Sequence, residues 1–488
     1  MIKYLSSKRL VVLVALAALA YALIFFNAFA GDSLMYHLPF AARFWRLENW
    51  PDYQGYFEFR YQGFPVLWRV LLGPGMMLHA PRLLLIPNLI ALLMLCWSAR
   101  THLKLHWAVT IVAALSIPVV LYGFASSMQD FFVNACAAAG AISVFSYHSG
   151  FTDRPAKTLI PGLLMLALAA NVKTQGLILA TLVLALAVIF LVCEHGFQKA
   201  IQRVNQVVYS WSWRKFPTSF RIGLLPIFLI VLIYAQPAAN LWRFGNPLYP
   251  VQFGIFKGKE FSYVSDLPYL PKIPLIYNAL SFVASSSEID PIIRSGPGLF
   301  FLRSVHMQNK PINQDQPADP YGNRWIITGG SNGMVYFALL AIALYASFFC
   351  RVWPQIASVN DVHALHRRLM ISCMICMLLP QSLELRYYMY MMIIPSLVSV
   401  SSHPAILRGI ARSAVSAGLA YSLFISLALP AYFMMRTSAW PPNSVSWDPL
   451  RYKPSQSACE SINAKYTIEK QAMKVEIDTV KQTIVCGF

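Results

Sequence analysis

Two carboxylates in this sequence stand where apolar runs begin or end, and charges near hydrocarbon are costly. Asp32 follows the first long apolar run directly, within the stretch GDSLMYHLP at 31–39, and Asp130 opens another run. At the mouth of a cavity, a carboxylate can take a proton as a general base or orient a ligand. The structural alternatives are a helix cap for Asp32 and an acid that complements a helix dipole for Asp130. Both residues are therefore candidate site residues.

A histidine follows the first of these carboxylates. His37 lies five positions after Asp32, nearly on the same helical face. Imidazole changes its charge near neutral pH, so His37 is a candidate second acid–base group or hydrogen-bond donor. An interfacial histidine without a chemical task is an equally good interpretation.

Lys173 brings a positive charge into an otherwise apolar run. It lies in the stretch NVKTQG at 171–176, a compact polar turn suited to an anionic head group. The run from 159 to 193 would extend roughly 52 Å as one helix, which is too long for a hydrocarbon core of about 30 Å. The polar turn is therefore predicted to divide the run into two helices. A lysine that only snorkels to the interface is the alternative.

Arginine stands beside aromatic residues in two further polar stretches. Arg243 precedes the turn sequence GNPLYP at 245–250, while Arg386 comes two residues after Glu384 and directly before Tyr387. Guanidinium groups bind phosphate, so both arginines are candidate phosphate ligands, with tyrosines lining the pocket. The alternatives are an arginine that anchors its loop and an ion pair between Glu384 and Arg386.

The sequence contains no phosphate-binding glycine-rich loop, no nucleotide-binding domain and no metal motif with proper spacing. ATP is therefore not indicated as an energy source, and a donor already activated in the lipid phase would make it unnecessary. Cys373 and Cys376 form a CxxC in an apolar run without a second pair, which does not predict a metal or redox site. Cys459 and Cys486 are the two cysteines of the polar C-terminal tail, and they would form a disulfide if that tail is outside.

The composition predicts a membrane protein. Of the 488 residues, 57% are hydrophobic and 12% are charged, whereas a soluble domain carries about 25% charged residues. The net charge of +19 would suggest nucleic acid as the partner of a soluble protein. Here the basic residues lie largely in short loops between apolar runs, as the positive-inside rule requires. Because no basic soluble domain exists to carry it, nucleic-acid binding is not predicted.

Apolar runs recur from end to end and predict an all-α polytopic fold with about eleven transmembrane helices. Residues 1–434 form the membrane domain, with a first outer loop at 31–81 that carries surface helices and a second large outer loop at 239–330. Residues 435–488 form a small polar tail on the outer face. The predicted spans lie at about 10–30, 82–99, 107–123, 131–147, two within 159–193, 221–238, 331–350, 369–380, 388–402 and 413–434.

Counting crossings predicts which charges share a face of the membrane. The first apolar run is longer than a signal-peptide core, so it is interpreted as a helix whose N-terminus is cytoplasmic. Eleven crossings then place five loops in the cytoplasm, and all five carry Lys or Arg; they are 100–106, 148–158, 194–220, 351–368 and 403–412. The candidate site residues fall on the opposite side, which predicts a polar site at the outer leaflet; they are Asp32, Asp130, Lys173, Glu384 and Arg386.

Six stretches resemble, in order, motifs of the polyprenyl-phosphate-dependent glycosyltransferases of the GT-C superfamily, such as aminoarabinose transferases and protein mannosyltransferases. The resemblance covers about 10–400. The last ~55 residues resemble no part of that family. The six stretches are GDSLMYHL at 31–38, GFPVLW at 63–68 continuing to RLL at 82–84, YGFASSMQD at 122–130, AANVKTQGL at 169–177, FGNPLYP at 244–250 and LRYY at 385–388.

The resemblance implies inverting transfer of a sugar from an undecaprenyl-type phosphate to a glycan, lipid or protein acceptor on the outer face of a bacterial inner membrane. Asp32 would take the proton of the acceptor hydroxyl, and Asp130 would orient the acceptor or a metal. Ser33 stands where many members have a second acid, which leaves a divalent metal open. The other implied substrate contacts are Lys173, Arg386 and Arg243 at the leaving phosphate, with Tyr36, His37, Glu384 and Tyr387 beside them.

Three other functions were weighed against sugar transfer. A transporter or flippase of a lipid-linked sugar is expected to show internal repeats and charges that reach both faces. A polymerase or ligase of surface polysaccharide shares these substrates but would need a different order of motifs. A non-catalytic scaffold is disfavoured, because charges at the outer face are expensive to keep without a task.

Overall fold

The computed structural model describes residues 2–24, 37–47, 58–148, 156–196, 198, 225–251, 256–258, 342–344, 347, 357–377, 379 and 389–401. Within these ranges the chain folds into helices and contains no β-strand. The prediction of an all-α protein is therefore confirmed for this part of the chain.

The helices are numbered here in chain order. The first outer loop contains short helices, as predicted, and a 3-10 turn at Pro81–Leu85 leads directly into α5. The helices are α1 (Ile2–Ile24), α2 (Leu38–Trp45), α3 (Glu58–Gly63), α4 (Leu67–Met77), α5 (Ile86–His102), α6 (Trp107–Leu115), α7 (Pro118–Phe124), α8 (Asp130–His148), α9 (Ala156–Ala170), α10 (Thr174–His195), α11 (Leu225–Phe244), α12 (Ala357–Cys376) and α13 (Tyr390–Ser401).

Four of these helices are long and apolar enough to cross a membrane. They are α5 with its preceding turn, α8, α10 and α11, whose apolar stretches are 22, 18, 21 and 18 residues long. Shorter apolar helices occur at Val11–Ala20, Thr158–Ala170 and Tyr390–Ser401. The described residues thus support a membrane protein with several spanning helices.

Two predicted spans have different bounds in the structure. The predicted span at 107–123 is two helices, because α6 ends at Leu115 and α7 begins at Pro118. A residue before proline is pushed out of the helical region, and Ile117 is accordingly extended, with φ −91° and ψ 121°. The predicted span at 369–380 begins much earlier, at Ala357, so part of the predicted loop 351–368 is helical.

Helix α8 occupies the centre of the described bundle, with α5, α9 and α10 packed around it. Small side chains allow this close approach. A Cβ on Gly140 would lie 2.8 Å from the Leu166 side chain, and one on Gly162 would lie 2.9 Å from that of Val144. α8 and α9 therefore touch almost backbone to backbone, whereas α11 exposes most of its surface.

The short helices of the first outer loop are held together by a buried arginine. Arg69 on α4 is 5% exposed and donates to the carbonyl oxygens of Tyr61 at 2.5 Å and Phe64 at 3.1 Å. Its guanidinium also lies 4.2 Å from the ring centre of Tyr61. The indole N–H of Trp45 donates to the Arg69 carbonyl at 3.0 Å, which fastens α2 to α4. This layer sits beside the turn that carries Lys173, since the Leu67 N–H donates to the Asn171 carbonyl at 3.3 Å.

Candidate functional site

Asp130 and Lys173, predicted separately, form a buried ion pair. The Lys173 Nζ lies 2.5 Å from Asp130 Oδ1, and the two side chains are 11% and 3% exposed. Asp130 is the first residue of α8, where a helix dipole favours an anion. Lys173 stands directly before α10 in an extended conformation. The pair therefore joins the starts of two spanning helices.

The turn between α9 and α10 places Lys173. As predicted, the polar stretch at 171–176 divides the long apolar run, since α9 ends at Ala170 and α10 begins at Thr174. Asn171 donates to the carbonyl oxygens of Ala167 at 2.8 Å and Leu232 at 3.0 Å, which ties the turn to α11. Gly176 is required here, because a Cβ would lie 2.0 Å from the Ala169 carbonyl oxygen.

A second buried amide holds the loop that leads to Asp130. Asn88 on α5 is 0% exposed, and its Nδ2 donates to the carbonyl oxygens of Gly123, Phe124 and Ser126 at 3.2, 3.1 and 2.9 Å. These are the last residues of α7 and the start of the loop to α8. Sequence reasoning missed Asn88, although a lone amide within the apolar run 86–95 is a usable signal.

A third amide, Asn134, connects Asp130 to α13. Its Nδ2 donates to the Asp130 carbonyl oxygen at 2.8 Å, and its Oδ1 accepts from the Tyr390 backbone N–H at 2.9 Å. The Tyr390 hydroxyl in turn lies 2.6 Å from Ser372 Oγ on α12. Met389 packs against Gly123 on the other side, where a Cβ would lie 2.5 Å from its Cε. Sequence reasoning missed Asn134 too.

These contacts gather three helix N-termini around one ion pair. The first residue of α8 carries the carboxylate, the residue before α10 carries the ammonium, and the first N–H of α13 binds one turn along α8. Each helix start carries a partial positive charge from its unpaired backbone N–H groups. Backbone N–H groups at helix starts bind anions, and Asp130 is the anion that stands at the start of α8.

A fourth amide joins the first outer loop to the end of α11. Asn240 donates to the carbonyl oxygens of Gly63 at 2.9 Å and Tyr249 at 3.0 Å, and it accepts from Gln236 at 2.9 Å. The stretches at 63–68, 169–177 and 244–250 are thereby neighbours. A small cleft opens between them, and its lining includes Gly63, Thr174, Gln236 and Asn240.

Two of the remaining predicted residues, His37 and Arg243, lie within the described ranges. His37 is 5% exposed and directly precedes α2. Arg243 is exposed in the last turn of α11, and its side chain makes no hydrogen bond or ion pair with other described residues. Its contact with the leaving phosphate stays a prediction. Asp32, Tyr36, Glu384, Arg386, Tyr387, Cys459 and Cys486 lie outside the described residues.

A metal site was tested against the same part of the chain. No group of three or more His, Cys, Asp or Glu side chains that could hold a metal occurs among the described residues. Cys373 and Cys376 are both fully buried, and the Cys373 thiol contacts the Met391 carbonyl oxygen at 3.4 Å. They pack as small core residues, in agreement with the sequence analysis.

A second ion pair, between buried Arg368 and exposed Glu194, lies at the opposite end of α10. Arg368 on α12 binds both carboxylate oxygens of Glu194 through Nη2, at 2.5 and 2.6 Å, and it donates to the Phe145 carbonyl oxygen at 2.9 Å. Glu194 and Arg368 belong to the loops 194–220 and 351–368, which the crossing count predicts on the side opposite the candidate site residues. Since α10 is 22 residues long, the two pairs stand roughly 30 Å apart along its axis.

No protein-family model matches this chain, and neither a curated protein nor a solved structure matches it. The argument for function therefore depends on the residues and their arrangement.

Proposed function

We propose that this chain is an integral membrane glycosyltransferase of the GT-C type. It transfers a sugar from a polyprenyl-phosphate donor to an acceptor on the outer face of a bacterial inner membrane. The observation that supports this function best is the position of the Lys173 ammonium, which contacts Asp130 beside the starts of α8 and α10. Such a place suits a phosphate that gains negative charge during a reaction.

Lys173 is the proposed ligand of the leaving phosphate. As the bond between the anomeric carbon and the phosphate oxygen breaks, its electron pair leaves with the polyprenyl phosphate. The Lys173 ammonium carries a full positive charge and donates to Asp130 Oδ1 in the structure. Asp130 then acts by orienting Lys173, which differs from the acceptor-orienting or metal-binding role implied by the resemblance.

Asp32 remains the proposed general base. The acceptor hydroxyl attacks the anomeric carbon on the face opposite the phosphate and gives its proton to the Asp32 carboxylate. The new bond forms as the old one breaks, so the configuration is inverted. His37, which lies close to Asp32 in sequence and precedes α2, is the proposed hydrogen-bond partner of the sugar.

The test measures transfer in membranes, with a radiolabelled polyprenyl-phosphate sugar and a panel of lipid, glycan and protein acceptors. We expect Asp32→Asn and Lys173→Met each to lower the rate about 10²–10³-fold, as loss of a transition-state contact does. Lys104→Met is the matched control, because Lys104 is exposed and binds the Thr101 carbonyl oxygen. Wild-type transfer by Asp32→Asn would exclude it as the base.

A transporter or flippase is the main alternative, and the Glu194–Arg368 pair gives it the charge at the opposite end that it needs. That pair is compensated within itself, however, and it links α8, α10 and α12. Vesicles without acceptor distinguish the two functions. A flippase moves the lipid-linked sugar across the membrane, and a transferase leaves it in place. A polymerase or ligase is distinguished from both by the size of its product.

A further inference from the structure

We infer that Asn134 is a positioning residue of the proposed transfer site, and this inference rests on the proposed function. The Asn134 amide binds the backbone of Asp130 with its donor and the backbone of Tyr390 with its acceptor. It therefore sets where the carboxylate that orients Lys173 lies relative to the start of α13.

The amide is matched to both of its partners. The Tyr390 N–H belongs to the first residue of α13, so it has no carbonyl partner within its own helix. Asn134 Oδ1 supplies that partner from a neighbouring helix. The other end of the amide donates to the carbonyl oxygen at the first residue of α8. A carboxylate has no donor and an aliphatic side chain has neither group, so aspartate or leucine at this position would not hold both backbones.

Asn134 lies where its amide cannot face water. The side chain is 0% exposed and lies one turn from Asp130 on the same helix. Burying an amide in a membrane helix is costly unless it is paired. If this position only had to stabilise the bundle, an apolar residue would do so without the cost of burying an amide. The alanines that follow Asn134 are such residues.

The chain offers a matched control that contacts the same helix from α5. Ser98 on α5 donates to the Ala139 carbonyl oxygen at 2.8 Å and shares a hydrogen bond of 2.8 Å with Ser143. It joins two helices through α8, as Asn134 does, but it lies several turns further from Asp130. Ser98→Ala therefore reports what loss of a buried interhelical contact does without disturbing the ion pair.

The experiment compares Asn134→Leu with Ser98→Ala for sugar transfer and thermal stability of the purified, full-length protein. We expect Asn134→Leu to lower kcat about 10–100-fold, as a displacement near 1 Å does, with the donor KM changed less than about threefold. We expect Ser98→Ala to lower Tm but not kcat. Equal kcat losses in the two variants, or wild-type kcat in Asn134→Leu, would overturn the positioning role.

A double-variant cycle distinguishes positioning from structure even if Asn134→Leu is less stable. If Asn134 acts through Lys173, adding Asn134→Leu to Lys173→Met lowers kcat by no more than about twofold, since the contact it positions is already gone. Additive losses would overturn the inference while leaving the proposed function intact. Absence of transfer by the wild-type chain with every acceptor would overturn both.

Discussion

The ammonium of Lys173 contacts the carboxylate of Asp130 across the starts of α10 and α8. Asp130 is the first residue of α8, Lys173 lies in the turn before α10, and other segments hold both positions. Their charges compensate each other within the bundle, so each residue has a structural task beside the chemical one that we propose. The predictions below separate these two tasks.

Exchanging the two charges should restore folding without restoring activity. Removing one partner of a buried pair costs about 3–5 kcal/mol, so Asp130→Asn and Lys173→Met should each lower Tm. The double variant Asp130→Lys with Lys173→Asp keeps a pair and should recover much of that loss. It puts a carboxylate where the phosphate needs an ammonium, so sugar transfer should stay at the level of Lys173→Met. Recovery of both properties would mean that the pair is only structural.

Gly176→Ala should prevent formation of the turn that carries Lys173. The added Cβ would lie 2.0 Å from the Ala169 carbonyl oxygen, which belongs to the backbone and cannot rotate away. At Gly123 the nearest atom is the flexible end of Met389, at 2.5 Å. We therefore expect far less folded protein from Gly176→Ala than from Gly123→Ala, measured by size-exclusion chromatography in detergent. Equal yields would contradict the tight turn.

The Glu194–Arg368 pair should affect stability but not turnover. Arg368→Met loses both carboxylate contacts and the bond to the Phe145 carbonyl oxygen, so Tm should fall. Arg368→Lys should recover only part of the loss, because lysine lacks the planar fork. The adjacent Arg367 is exposed, and Arg367→Met is the control. A fall in kcat per folded molecule for Arg368→Met would instead favour a role in transport or coupling.

Labelling of single cysteines tests which end of the bundle is outside. Trp242 is 91% exposed at the end of α11, and Lys104 is exposed after α5. We expect a membrane-impermeant maleimide to label Trp242→Cys in intact spheroplasts, and Lys104→Cys only after permeabilisation. The native cysteines are replaced by serine first, since Cys193 is exposed. The reverse pattern would place the Asp130–Lys173 pair in the cytoplasm.

Much of the fold could be predicted from the lengths of the apolar runs and from the polar residues that interrupt them. The turn at 171–176 was predicted because a polar stretch divides a run too long for one span. The break at Pro118 was missed, because the apolar pattern continues on both sides of the proline. The early start of α12 was missed because its first turns are polar and resemble a loop. Hydropathy reports how apolar a segment is, and it says little about where a helix begins.

The site was predicted only in part, because the contacts between distant side chains depend on how the helices pack. Asp130 and Lys173 were recognised as charges in apolar surroundings, but their contact spans 43 residues of sequence. Asn88 and Asn134 were missed because an amide has no charge and each acts on the backbone of a distant segment. Arg243 is exposed at the end of α11, and its contact with a phosphate stays a prediction.

The enclosed position of α8 has a consequence for how this chain is made. Its apolar stretch has the lowest mean hydropathy of the four long helices, 1.2. The helix also carries Asp130, Asn134 and two serines. Lipid offers these groups no partners, whereas α5, α9 and α10 do. Lys173 is synthesised 43 residues after Asp130. We therefore expect α8 to remain beside the insertion machinery until the turn before α10 has emerged, so that the helices enter the bilayer as a group.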